Sequence, residues 1–177
     1  CDRAKFKLQP VSHDGRYIQI SPGLLFHMDM KTIAVRSRQG HYHYFVGIID
    51  DNSHRSWVYC MRKKTEALFV LKTFITEVCI PAGITRFALR MDNAGEYVSH
   101  EMERFCVEHD IHRVPTPAYR QAYNGVVERF FDIVMNMVRA MLLVAHFHNC
   151  YWNWAVILAN IIRNCCPRGP HGRTPIF

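Results

Sequence analysis

The chain lacks any apolar run long enough to cross a bilayer. Its longest, "AVILANII" at 155–162, falls far short of the roughly 20 residues a spanning helix needs. It also lacks a C-x-x-C pair. The seven cysteines, at positions 1, 60, 79, 106, 150, 165 and 166, are odd in number and irregularly spaced, which excludes the disulfide framework of a small secreted domain. No signal peptide opens the chain, and no internal repeat or low-complexity tract interrupts it. Most cysteines stand among apolar neighbours, so buried reduced thiols in a reducing, intracellular setting are the expectation. Acidic residues are the minority, 15 against 22 lysines and arginines, leaving a net charge of +7. That balance points to polyanionic partners, DNA or RNA first, and with so short an apolar run no membrane partner is expected.

What is present suits one folded domain. The 177 residues are 49% hydrophobic and 12% aromatic, enough to bury a substantial core. The chain opens at Cys1 in mid-pattern, which implies a piece of something longer. Residues 1–22 are basic and irregular and read as a lead-in; residues 23–177 read as the domain proper. Three strand-like runs follow, at 24–30, 44–50 and 56–62, separated by Gly40 and the polar "DDNSHRS", an order that predicts an antiparallel meander. Leu68, Leu71, Ile75 and Val78 recur at helical spacing over 65–80, before Pro81 and Gly83. A fourth strand is expected at 85–91, and Ser99 reads as the N-cap of a helix over 100–109. A short strand at 111–117 comes next, then a long helix over 125–146 and a final one over 152–164. The order β-β-β-α-β-α-β-α-α predicts an α/β fold, a mixed five-stranded sheet flanked by helices.

Three carboxylates stand out against this plan. Asp29 sits inside the first strand among apolar neighbours, where an unpaired acid is costly. Asp92 follows the fourth strand in "LRMDNAGEY", and Glu128 falls one turn into the long helix. If the first and fourth strands are neighbours, both aspartates face one crevice at the strand ends. No basic partner is built into this set, so three convergent carboxylates repel unless cations intervene. Hard oxygen ligands suit Mg²⁺ or Mn²⁺. Two such ions would balance three carboxylates and a phosphodiester, the charge arrangement of two-metal phosphoryl transfer.

Each residue taken alone has a plainer reading. Asp92 could begin an Asx-turn, and Glu128 could face solvent. Asp50 and Asp51 read as turn residues rather than ligands, and Glu96 as part of a loop or helix start. His146, His148 and Cys150 read as helix-end histidines and a buried thiol rather than a zinc site. "RKK" at 62–64 fits a solvated strand end or a DNA-facing surface equally well. The long helix is apolar over a stripe of Val127, Phe130, Val134, Met137, Met141 and Val144. Phe131, Val138 and Leu142 extend it, so either deep burial or a subunit contact would account for it.

The local contexts tip the balance. Asp29, then "DNAGEY" from Asp92, then "NGVVER" with Glu128 after 35 intervening residues (93–127), together resemble the D,D-35-E signature of retroviral-type integrases. The phrases "GIIDDNSHRSWVY", "RQAYNGVVER", "WNWAV" and "RTPIF" resemble in particular the integrase of copia-type LTR retrotransposons. This resemblance covers residue 24 to the C-terminus in motif order. It implies a ribonuclease-H-like catalytic core from a Gag–Pol polyprotein, an endonuclease and polynucleotidyl transferase that trims 3′ ends of element DNA and joins them to target DNA. It implies that Asp29 bridges two metal ions, with Asp92 on one and Glu128 on the other. Asn124 would touch double-stranded DNA, and Tyr123, Arg120 and Arg129 in and after the same loop are candidate DNA contacts, with Tyr119 beside them. The family works as homo-oligomers on paired DNA ends, in the nucleus after a cytoplasmic virus-like particle stage. A zinc-binding module precedes the core in relatives; Cys1 would be its last ligand, so no zinc is expected in this segment.

The chain also departs from the family pattern. Ala94 replaces a glycine, Lys31-Thr32 stands where Gly-Pro is usual after the first aspartate, Tyr123 replaces glutamine, and "NCCPRG" replaces Asn-Arg-Pro. These departures leave room for an integrase-derived DNA-binding or assembly module of weak or no activity. A ribonuclease-H-like nuclease or cut-and-paste transposase would share the metal chemistry, but the copia-like phrases weigh against it.

Overall fold

The computed structural model describes residues 21–91, 99–115, 125–167 and 174–175. Strands β1 (Leu25–Thr32), β2 (Tyr44–Asp50) and β3 (Ser56–Met61) form the expected antiparallel meander. Helix α1 (Ala67–Phe74) leads to β4 (Phe87–Met91), and α2 (His100–Glu108) leads to β5 (Ile111–Pro115). Helices α3 (Gly125–Val144) and α4 (Trp152–Cys165) complete the order. β4 pairs parallel with β1 and β5 parallel with β4, so the sheet runs β3-β2-β1-β4-β5. This is the mixed five-stranded sheet that the element order predicts.

Strand alternation divides the core into two layers. Phe26, Met28, Val46 and Ile48 pack with Leu71 and Phe74 of α1 and Met102 of α2 on one face. Phe45 and Ile49 pack with Val127, Phe130, Phe131 and Val134 of α3 and Trp152 and Val156 of α4 on the other. Burying each such side chain contributes about 1.5–3 kcal/mol. Ser99 caps α2 as predicted, accepting the Met102 N–H at 3.2 Å. Gly83, at φ +71°, closes the turn after α1 by donating its N–H to the Ile80 carbonyl at 3.0 Å.

Two expectations about helix faces need correction. The buried face of α1 is Ala67, Val70, Leu71 and Phe74, while Leu68, Ile75 and Val78 only flank the core. A wider π-type turn over Ile75–Cys79 rotates the end of the helix and breaks the regular spacing. In α3 the supposed extension, Phe131, Val138 and Leu142, is core; Val144 is exposed and Met137 and Met141 are partly covered. The helix lies across two neighbours, and a broad stripe is what such a position requires. The cysteines also divide. Burial pushes the Cys60 and Cys79 thiols up to about 12 and raises that of Cys106. Cys165 and Cys166 lie exposed at the C-terminal end of α4.

Candidate active site

Asp29 is half-buried on β1, and its Oδ1 accepts the Met30 N–H at 2.7 Å. Across β1 and β2 it is paired with Gly47. Directly opposed residues on antiparallel strands point to the same face, so Asp29 shares the face of Gly47. That face carries α3: a Cβ built on Gly47 would lie 2.5 Å from Phe130 Cε1. The missing side chain is therefore what lets the first turns of α3 come down on the sheet beside Asp29. Glu128 lies two residues before Phe130, exposed, in the first turn of α3, where the positive end of the helix dipole favours a carboxylate. Arg129 is exposed beside it.

On the other flank, the parallel register of β1 and β4 pairs Met28 with Met91. These are the residues immediately before Asp29 and Asp92. Asp92 itself lies outside the described residues, as do Glu96, Tyr119, Arg120, Tyr123 and Asn124. Among the described residues no three His, Cys, Asp or Glu side chains form a ligand cluster. Asp29 and Glu128 supply hard oxygen donors, a donor type that fits Mg²⁺ or Mn²⁺.

Basic side chains stand on the same sheet face as Asp29. His27 is paired laterally with Arg90, both buried, on the face that Asp29 occupies two residues further along β1. His27 Nε2 lies 2.7 Å from Asp51 Oδ1. Lys31, two residues beyond Asp29, holds its Nζ 5.8 Å from the centre of the Phe131 ring. Single basic letters inside "LLFHMDM" and "FALRM" were the available signal, but only the strand register assigns them a face.

The remaining candidates fall to structural roles. Asp50 is buried and accepts the Gly23 N–H at 2.8 Å and the Ser53 N–H at 2.7 Å, a turn role as expected. His148 Nδ1 accepts the Cys150 N–H at 3.2 Å at the entry to α4. Arg62 Nε donates to the Gly40 carbonyl at 2.8 Å, while Lys63 and Lys64 are exposed.

A mixed sheet in this order, with carboxylates on its α3 face, defines the class as ribonuclease-H-like. The HTLV-2 integrase catalytic core domain in complex with magnesium has a similar fold. Its TM-score is 0.66 at 20% identity, over 88% of this chain and 95% of that one. The catalytic core domain of BIV integrase is similar at TM-score 0.64 and 19% identity, over 86% and 91% of the two chains. Residues 20–121 match the family model described as integrase core domain. The chain is 36% identical over 127 residues to the retrovirus-related Pol polyprotein from transposon TNT 1-94 of Nicotiana tabacum, covering 72% of this chain and 10% of that one. It is 27% identical over 131 residues to the corresponding polyprotein from transposon RE1 of Arabidopsis thaliana, covering 71% and 8%. The chain belongs to the integrase core domain family. It spans about a tenth of the polyproteins it matches.

Proposed function

We propose that this chain is the catalytic core of a retrotransposon integrase, performing 3′-end processing and strand transfer on double-stranded DNA. The observation that carries the reading is the placement of Asp29. Its strand neighbour Met28 is registered against Met91, next in sequence to Asp92, and Phe130 over Gly47 seats the turn bearing Glu128 on the same face. Asp29, Asp92 and Glu128 would hold two Mg²⁺ or Mn²⁺ ions, which when bound activate the attacking oxygen and stabilise the leaving one. The protein's own part is positioning. α3 packs on the sheet through Phe130 over Gly47 and Phe131 against Phe45, so Asp29 and Glu128 would need little reorganisation. Arg90, buried on the same face, offsets part of their mutual repulsion. Arg129, Arg120, Tyr123 and Asn124 are proposed to contact DNA.

The outer face of α4 is the face proposed for self-association: Trp154, Leu158 and Ile161 are each about half exposed there.

The test is a branched DNA that mimics the strand-transfer product. Resealing with Mn²⁺ or Mg²⁺ is expected, lost in Asp29→Asn and in Asp92→Asn. DNA affinity should persist in both variants, because phosphate contacts dominate it. Absence of turnover together with absence of metal binding by titration would leave the DNA-binding or assembly module as the function.

A further inference from the structure

We propose that Lys31 is a DNA-contact residue of this site, its ammonium taking a non-bridging oxygen of the phosphate beside the reacting linkage. The inference rests on the catalytic reading above. Lys31 lies two residues past Asp29 on β1 and is opposed by Phe45 on β2, so it shares the face of Asp29. Phe45 stacks edge-on against Phe131, ring centres 5.3 Å apart, and Lys31 Nζ lies 5.8 Å from the Phe131 ring centre. Phe131 follows Glu128 by three residues in α3, and side chains at that spacing are neighbours on one helix face. The ammonium is thus held between the strand that carries Asp29 and the turn that carries Glu128.

A lysine on the same strand face as an aspartate often pairs with it. Among the described residues, however, Lys31 makes no ion pair; the two found are His27–Asp51 and Arg86–Asp110. Lys31 is half-buried, and its Nζ lies over the Phe131 ring, 5.8 Å from the centre. Such a cation is both oriented and available. A phosphodiester entering toward Asp29 and Glu128 is the anion it is placed to meet, and a flexible ammonium serves as a point-charge phosphate ligand.

The experiment compares Lys31→Met, Lys31→Arg and the unaltered chain in binding the branched DNA across a salt series. Methionine keeps an unbranched stem and removes the charge; thermal melting checks that it folds. The slope of log affinity against log salt should fall by about 0.9 in Lys31→Met, as for one lost phosphate contact, and be unchanged in Lys31→Arg. Single methylphosphonates are then placed along each strand. At one position next to the branch, neutralising the phosphate should abolish the difference between Lys31→Met and the unaltered chain. An unchanged slope, or a difference equal at every methylphosphonate position, overturns the proposal. Should Lys31→Met fail to fold, the same readings on Lys31→Gln decide the matter. Both readings come from binding, so a chain with neither turnover nor metal binding would refute the catalytic assignment while the Lys31 contact is still decided separately.

Discussion

Gly47 is the residue on which the site geometry turns. Its alpha carbon lies beneath Phe130, and a methyl there would meet the ring at 2.5 Å, well inside contact distance. Because the ring is fully buried, α3 itself must move to make room. Gly47→Ala should therefore destabilise the fold by about 1–3 kcal/mol, as overpacking usually does, and lower turnover by displacing the turn of Glu128. Urea denaturation and the branched-DNA assay measure the two effects. Phe130→Leu in the same chain should recover part of the loss, and failure to do so would mean that the ring does not set the helix height. At this scale Asp29 was legible in the sequence, because an acid inside an apolar strand run is conspicuous. Gly47 was not. A glycine in "FVGIID" reveals nothing of the ring above it until the helix is docked.

Among the elements, α4 is tied to the start of β3 by a buried polar cluster that periodicity could not disclose. Ser56 Oγ donates to Asn160 Oδ1 at 2.6 Å and accepts from Arg163 Nη1 at 2.6 Å, while Asn160 Nδ2 donates to the Ser56 carbonyl at 3.0 Å. The Arg163 guanidinium also lies 5.0 Å from the centre of the Phe130 ring, so the cluster reaches the same ring that covers Gly47. Asn160→Leu should cost about 0.5–1.5 kcal/mol, the net worth of a hydrogen bond, because Asn164 still meets the Ser56 hydroxyl and carbonyl. Equilibrium unfolding measures that cost, and a change within about 0.5 kcal/mol, ordinary for an exposed site, would refute a structural role. The strands and helices were largely legible from alternation, apolar spacing and the Ser99 cap, with boundaries within a few residues. The face of α1 was misjudged because a π-type turn changes its phase midway, and such a turn depends on packing rather than on local letters.

For the molecule as a whole, the outer face of α4 carries the consequence. Trp154 and Leu158, 53% and 48% exposed, line an apolar groove with Met141, Phe147 and Tyr151. If copies associate through this face, Leu158→Glu should yield a monomer by sedimentation velocity with an unchanged melting temperature. An unaltered oligomer would move the contact elsewhere. The amino-acid sequence by itself determined the order of elements, the basic balance and the three-carboxylate motif, since these depend on local spacing and composition. Only the tertiary structure decided that β4 docks parallel beside β1, that His27, Arg90 and Lys31 join the face of Asp29, and which helix faces are left uncovered. Each of those facts is a relation between segments distant along the chain, and it arises when the sheet register and the seating of α3 on Gly47 bring them into contact.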